Sequence, residues 1–104
     1  MEITDIRVRK LVTDGRLRAV VSITIDDMLA VHDIKVIEGP QRLFVAMPSR
    51  RETNGTYRDI VHPISIAARS KLEDTILDAY ANAVASEEVS AQMESDRALS
   101  EDEK

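Results

Sequence analysis

Apolar and polar residues alternate with a period of two along the first third of the chain. In "RLRAVVSITID", residues 16–26, Leu17, Ala19, Val21, Ile23 and Ile25 share one side, while Arg16, Arg18, Ser22 and Thr24 take the other. That pattern predicts an antiparallel strand with one buried face. Between Ile3 and Leu11, Ile6 and Val8 alternate with Arg7 and Arg9, and the "TDG" at 13–15 supplies turn residues that join the two segments into a hairpin. Asp26-Asp27 makes the next turn. In the segment beyond it, Val31 falls in the opposite register to Ile34 and Val36. One extra residue moves an apolar set to the other face, so a bulge is expected near His32-Asp33.

Gly39-Pro40 interrupts the chain, and Leu43 to Met47 then form a continuous apolar run, read as a short central strand that Pro48 ends. Tyr57 to Val61 give a fifth strand after an Asn54-Gly55 turn, stopped by His62-Pro63. After Pro63 the period becomes helical, with Leu72, Ile76, Ala79, Tyr80 and Ala83 on one stripe. Two starts fit this helix: Ser65 as an early cap, or Ser70 with Glu73 three residues on in the capping-box pattern. From about Ser86 the residues are small, acidic and polar, too poor in apolar surface to offset the entropy of ordering.

These elements define an α+β fold: an antiparallel sheet of about five short strands covered by one C-terminal amphipathic helix. Residues 1–84 form the domain, and 85–104 an acidic tail, partly helical or disordered, whose expected role is solubility. One sheet face and two edges stay open, and with only three aromatic residues the core is thin. Pairing of two copies about a two-fold axis solves both problems, so a homodimer is expected.

Length and composition narrow the choices. The 104 residues allow one small domain, and no cysteine is present for disulfides or thiolate metal sites, which fits a reducing cytoplasm. No apolar run approaches the roughly 18 residues of a membrane span, and the amino terminus shows no signal pattern. The net charge is -5, but residues 1–80 hold 12 basic and 12 acidic side chains, so the imbalance lies in residues 81–104, with 2 against 7. Within the neutral part, residues 42–71 carry six basic side chains against two acids. Local field, rather than total charge, governs the docking of an anion.

The residue types of a hydrolase are present in His32, His62, Asp33, Asp59, Ser49 and Ser65, but without a nucleophile elbow or a glycine-rich oxyanion loop. The plainer reading makes the histidines turn and bulge residues, and no enzyme is expected. Two histidines 30 positions apart give no metal-ligand spacing, and three glycines form no phosphate-binding loop, so neither a metal nor a nucleotide cofactor is expected. Arginine is different. Its guanidinium is permanently charged and its planar fork matches phosphate oxygens. Arg50 and Arg51 at the exit of a strand, with Arg58 across the hairpin, form a candidate anion site, to which Arg69 and Lys71 near the helix start would add. Alone, such a group reads more readily as solvated surface charge. Tyr57 and Phe44 offer rings for base stacking, although a strand aromatic is more often core.

The segments "TDGRLRAVVSITIDD", "VHDIKVIEG", "LFVAMPSRR", "YRDIVHPI" and "ILDAY" resemble, in order and spacing, the bacterial septation regulator SpoVG family, stage V sporulation protein G. The resemblance covers about residues 1–82, with "LFVAMPS" plus two basic residues and "DI.HPI" its most specific parts. It implies a dimeric regulator that binds DNA and RNA, controlling gene expression and, in spore formers, septum placement. It also implies a nucleic-acid surface at Arg50 and Arg51, with sequence preference associated with Ile66 to Lys71. Arg42 and Ser70 stand where relatives often have glycine, and the first of these adds positive charge. The rival reading is a protein-interaction module for a cell-division or regulatory partner.

Overall fold

The computed structural model describes the backbone of residues 1–102 and the side chains of residues 1–87. Four strands, β1 (Ile3–Leu11), β2 (Leu17–Ile25), β3 (Leu29–Glu38) and β4 (Leu43–Ala46), form an antiparallel sheet in the order β1-β2-β3-β4. Two further strands, β5 (Ser49–Arg51) and β6 (Tyr57–Asp59), pair only with each other, and the helix α1 follows over Ile66–Asp102. The α+β class is as the sequence predicts.

Register explains why the apolar positions do not alternate strictly. Across β2 and β3, Ala19 faces Val36 and Val21 faces Ile34, whereas Ile23 faces Val31. One residue of β2, Ser22, therefore stands against two of β3, His32 and Asp33, which is the expected bulge. Asp33 takes up the extra length with φ at 62°, in the left-handed region that Asp tolerates better than most side chains. Strand β1 holds two more irregularities, between Ile3 and Asp5 and between Val8 and Lys10. They bring Ile3, Ile6, Val8 and Leu11 onto one face in spite of spacings of three. The β2–β3 turn has Asp26 and Asp27 both at positive φ, 52° and 56°, the arrangement whose twist suits a two-residue hairpin.

The core lies between that face and α1. Ala19, Val21, Ile23, Ile34, Val36 and Val45 are buried against Leu72 and Ile76, with Leu77 and Tyr80 packed at the margin. Of the two predicted helix starts, Ser65 is used: its Oγ accepts a hydrogen bond from the Ala68 amide at 3.1 Å. Ser70 lies within the helix. The helix runs on through the expected boundary at residue 84, and the side chains of the acidic tail beyond Glu87 lie outside the described residues.

Two strand expectations need correction. The apolar run at Leu43–Met47 is not central: β4 is the sheet edge beside β3. Its apolarity is continuous because Val45 and Met47 enter the core while Phe44 pairs across the other face with Ile37. The fifth strand does not extend the meander either. After Pro48 the chain leaves the sheet, and "SRR" pairs with "YRD" as a separate two-stranded hairpin. The Glu52 amide donates to the Thr56 carbonyl at 2.7 Å and closes a loop at 53–55 that ends on Gly55 at φ 89°, where a side chain would be strained. Asn54 Oδ1 locks the loop by accepting from the Thr56 amide at 3.1 Å and its hydroxyl at 2.7 Å.

Candidate nucleic-acid interface

The β5–β6 hairpin fixes where its arginines go. Arg50 pairs with Arg58 and Arg51 with Tyr57, while Ser49 pairs with Asp59. Because successive strand residues point to opposite faces, Arg50 and Arg58 share one face of the ribbon, and Arg51 and Tyr57 share the other. The three guanidinium groups expected at one point are thus split two and one. That Arg50 and Arg51 are adjacent already places them on opposite faces of any strand, whereas which of them faces Arg58 depends on the register of the hairpin.

On the first face, Arg50, Glu52, Arg58, Asp59 and Ile60 line an open recess of about 270 Å³. Glu52 Oε1 lies 3.5 Å from Arg58 Nε, yet the Arg58 side chain remains 81% exposed. Among the described residues, neither Arg50 nor Arg51 has a carboxylate within ion-pairing distance. Two like charges held directly opposite each other destabilise a hairpin. An anion between them removes that cost, and a phosphate oxygen pair has the geometry to take both forks.

The other two predicted site residues are engaged elsewhere. Arg69 pairs with Glu73 at 3.0 Å and donates from its guanidinium to the Val45 carbonyl at 3.1 Å, tying α1 to β4. Lys71 Nζ donates to the Met1 carbonyl at 3.2 Å. Arg42 approaches Glu73 at 3.8 Å rather than joining the hairpin. The start of α1 leaves Ile66 88% exposed.

The serine and histidine candidates do not gather into one site. His32, on β3, hydrogen-bonds through Nδ1 to Ser22 Oγ at 2.8 Å on the sheet face away from α1, and Arg9 Nε donates to the same hydroxyl at 3.4 Å. His62 follows β6 and donates from Nδ1 to the Pro63 carbonyl at 3.1 Å. Among the described residues no group of three His, Cys, Asp or Glu side chains is placed to hold a metal ion. No described helix is long and apolar enough to cross a membrane.

A feature the sequence did not flag lies next to the hairpin. Ile60, Val61, Ile64 and Ile66, within seven residues, are all exposed, Ile64 to 90%. Four exposed large apolar side chains this close in sequence exceed the single scattered ones that an ordinary surface carries. The alternating pattern gave no warning, because residues 60–65 are neither strand nor helix and so have no period to read.

A four-stranded sheet backed by one helix, with a detached arginine hairpin, defines a small α+β protein with a cationic protrusion and a neighbouring apolar strip. The family model described as SpoVG matches residues 1–82, and the chain belongs to the SpoVG family. Its relatives carry the name "Putative septation protein SpoVG". The chain is 60% identical over 83 residues to the one from Lachnospira eligens, covering 80% of this chain and 94% of the relative. To that of Desulforudis audaxviator it is 52% identical over 87 residues, 84% and 99% of the two chains. For Clostridioides difficile the identity is 53% over 92 residues, covering 88% of this chain and all of the relative.

Proposed function

We propose that the protein is a cytoplasmic, homodimeric, non-enzymatic regulator that binds DNA and RNA through the β5–β6 hairpin and acts in septation, which its relatives' name indicates for them, and in sporulation. The observation that carries the binding is the cross-strand pairing of Arg50 with Arg58, two exposed cations held opposite each other, with only Glu52 among the described residues at ion-pairing distance and Asp59 also lining the recess. Such a pair is costly without an anion and suited to a phosphate with one. Arg51, reaching from the opposite face, widens the contact around the ribbon. Arg69 and Lys71 act by holding the start of α1 in place, Arg69 through its bonds to Glu73 and the Val45 carbonyl and Lys71 through its bond to the Met1 carbonyl.

The exposed strip from Ile60 to Ile66 supports the dimer, because a second copy covers it and places two arginine hairpins on one assembly. Arg50 and Arg58 sharing one phosphate and Arg51 taking a second neutralise about four phosphates per dimer, and affinity falls on the order of a hundredfold between 50 and 200 mM salt. Changing Arg50 and Arg58 together to Gln should weaken binding to all sequences and flatten the salt slope by roughly two units in the dimer. Anisotropy titrations on DNA and RNA at two salt concentrations read both quantities. An unaltered titration rejects the hairpin as the phosphate site.

The same apolar strip favours a second reading, a module that docks a cell-division partner without touching nucleic acid. Changing Ile64 and Ile66 to Asp separates the two. A monomer of normal fold in sedimentation supports the strip as the self-association surface, whereas an unchanged oligomeric state leaves it to another protein.

A further inference from the structure

Tyr57 is the only described aromatic residue that is mostly exposed, at 72%, although it stands in a strand. A strand tyrosine left in water has a large apolar ring with nothing to cover it. Around it, Tyr57, Arg58, Asp59 and His62 line a recess of about 610 Å³ along the outer edge of β6. His62 is steadied there by its own hydrogen bond to the Pro63 carbonyl. Arg58 and Asp59 line this recess and also the arginine recess on the other face, so the two concavities are neighbours around one strand.

The chemistry of the two recesses differs. The first sets two cations, Arg50 and Arg58, against Glu52 and Asp59 and can hold a phosphate between the forks, whereas the second has Arg58 alone against Asp59. The second sets a tyrosine ring and an imidazole beside the Asp59 carboxylate. That carboxylate repels a phosphate but accepts a hydrogen bond from an exocyclic amino group on a base edge. We propose that this recess is a stacking slot for one unpaired nucleobase carrying an amino group, and that the protein therefore prefers single-stranded to duplex nucleic acid. In this arrangement Tyr57 stacks on the base, Asp59 accepts from its amino group, and Arg58 holds the adjoining phosphate. In a duplex the base faces are stacked on their neighbours and out of reach. The inference rests on the nucleic-acid reading of the hairpin.

The test uses the full chain with fluorescent oligonucleotides of cytosine or uracil, about a dozen nucleotides long, and a duplex of similar length. Tyr57→Ala should reduce single-strand affinity by 5- to 150-fold, the range for loss of one base stack, with duplex affinity and salt slope unchanged. Tyr57→Phe should bind as the wild type does. Asp59→Asn should remove the preference for cytosine over uracil. Equal losses on single strand and duplex, or a Tyr57→Ala protein that binds normally, would overturn the slot while leaving the arginine site standing. A change in oligomeric state with Tyr57→Ala would also overturn it, by assigning the ring to a second copy. Wild-type protein that binds none of the probes removes both readings together.

Discussion

Arg69 and Glu73, one helical turn apart, form an ion pair at 3.0 Å in which the acid is nearly enclosed: its side chain is 11% exposed against 46% for the arginine. The Arg69 guanidinium also reaches the Val45 carbonyl, so a single side chain satisfies a buried acid and an edge strand at once. Removing one partner of an enclosed pair costs more than the pair itself contributes, because the other charge is left without compensation. Arg42 at 3.8 Å offsets part of that loss. Arg69→Ala should therefore lower stability by about 2 kcal/mol, below the range for fully buried pairs. Replacing both residues together, Arg69→Met with Glu73→Leu, should recover most of it. Denaturant midpoints check both. The salt slope of nucleic-acid binding should stay unchanged in folded Arg69→Ala, which separates its structural role from phosphate contact.

Ser65 decides where α1 begins, and with it where Arg69 stands. Its Oγ accepts from the Ala68 amide, but no acid sits at that third position to return the bond, so the cap is one-sided. Ser65→Ala should cost about 1 kcal/mol. In a domain of this size that lowers the melting temperature by about 5 °C. Ser70→Ala, in the helix interior, should leave it unchanged or slightly raised, since Ala is the better helix former.

Asp33 is where β3 changes face. At φ 62° it occupies a conformation that a β-branched residue adopts only at a cost of roughly 1–2 kcal/mol. Asp33→Val should destabilise by about that amount, while Asp33→Asn and Asp33→Gly should stay within about 0.5 kcal/mol of the wild type. Deleting the residue should prevent folding, because Ile34 and Val36 would then turn away from α1.

The same residue shows what was legible in the sequence. Val31 out of step with Ile34 and Val36 announced a bulge, because one buried face imposes a parity that a single extra residue visibly breaks. Parity was equally broken in β1, where Ile3 to Ile6 and Val8 to Leu11 are three apart. There each break lies near a strand end, with too few residues beyond it to establish the second register. The helical stripe from Leu72 to Ala83 was legible for the same reason, a buried face with a fixed period. The detached hairpin was not. "LFVAMPSRR" reads as one strand and its exit, and only tertiary pairing shows that Pro48 ends one sheet and begins another. The contacts of Arg69 were hidden for a related reason: nothing in a sequence distinguishes an arginine facing solvent from one that also reaches a carbonyl 24 residues away.

Arg50 and Arg58 give the sharpest test, because binding and stability should move in opposite directions. Directly opposed like charges on neighbouring strands cost roughly 0.2–1 kcal/mol relative to neutral pairs. The exposure of Arg58 and the nearby Glu52 place this pair at the lower end. Arg50→Gln removes the repulsion while keeping a long polar side chain, and at low salt it should raise stability by a few tenths of a kcal/mol. In 0.5–1 M salt, where the screening length shrinks to a few ångströms, the gain should vanish. Affinity for nucleic acid should fall in the same variant, since one fork of the phosphate site is gone. Paired melts at low and high salt, run beside the anisotropy titration, measure all three. A variant that loses both stability and affinity at low salt would mean that Arg50 makes a structural contact within the hairpin, and the opposed pair would no longer indicate a site held ready for an anion.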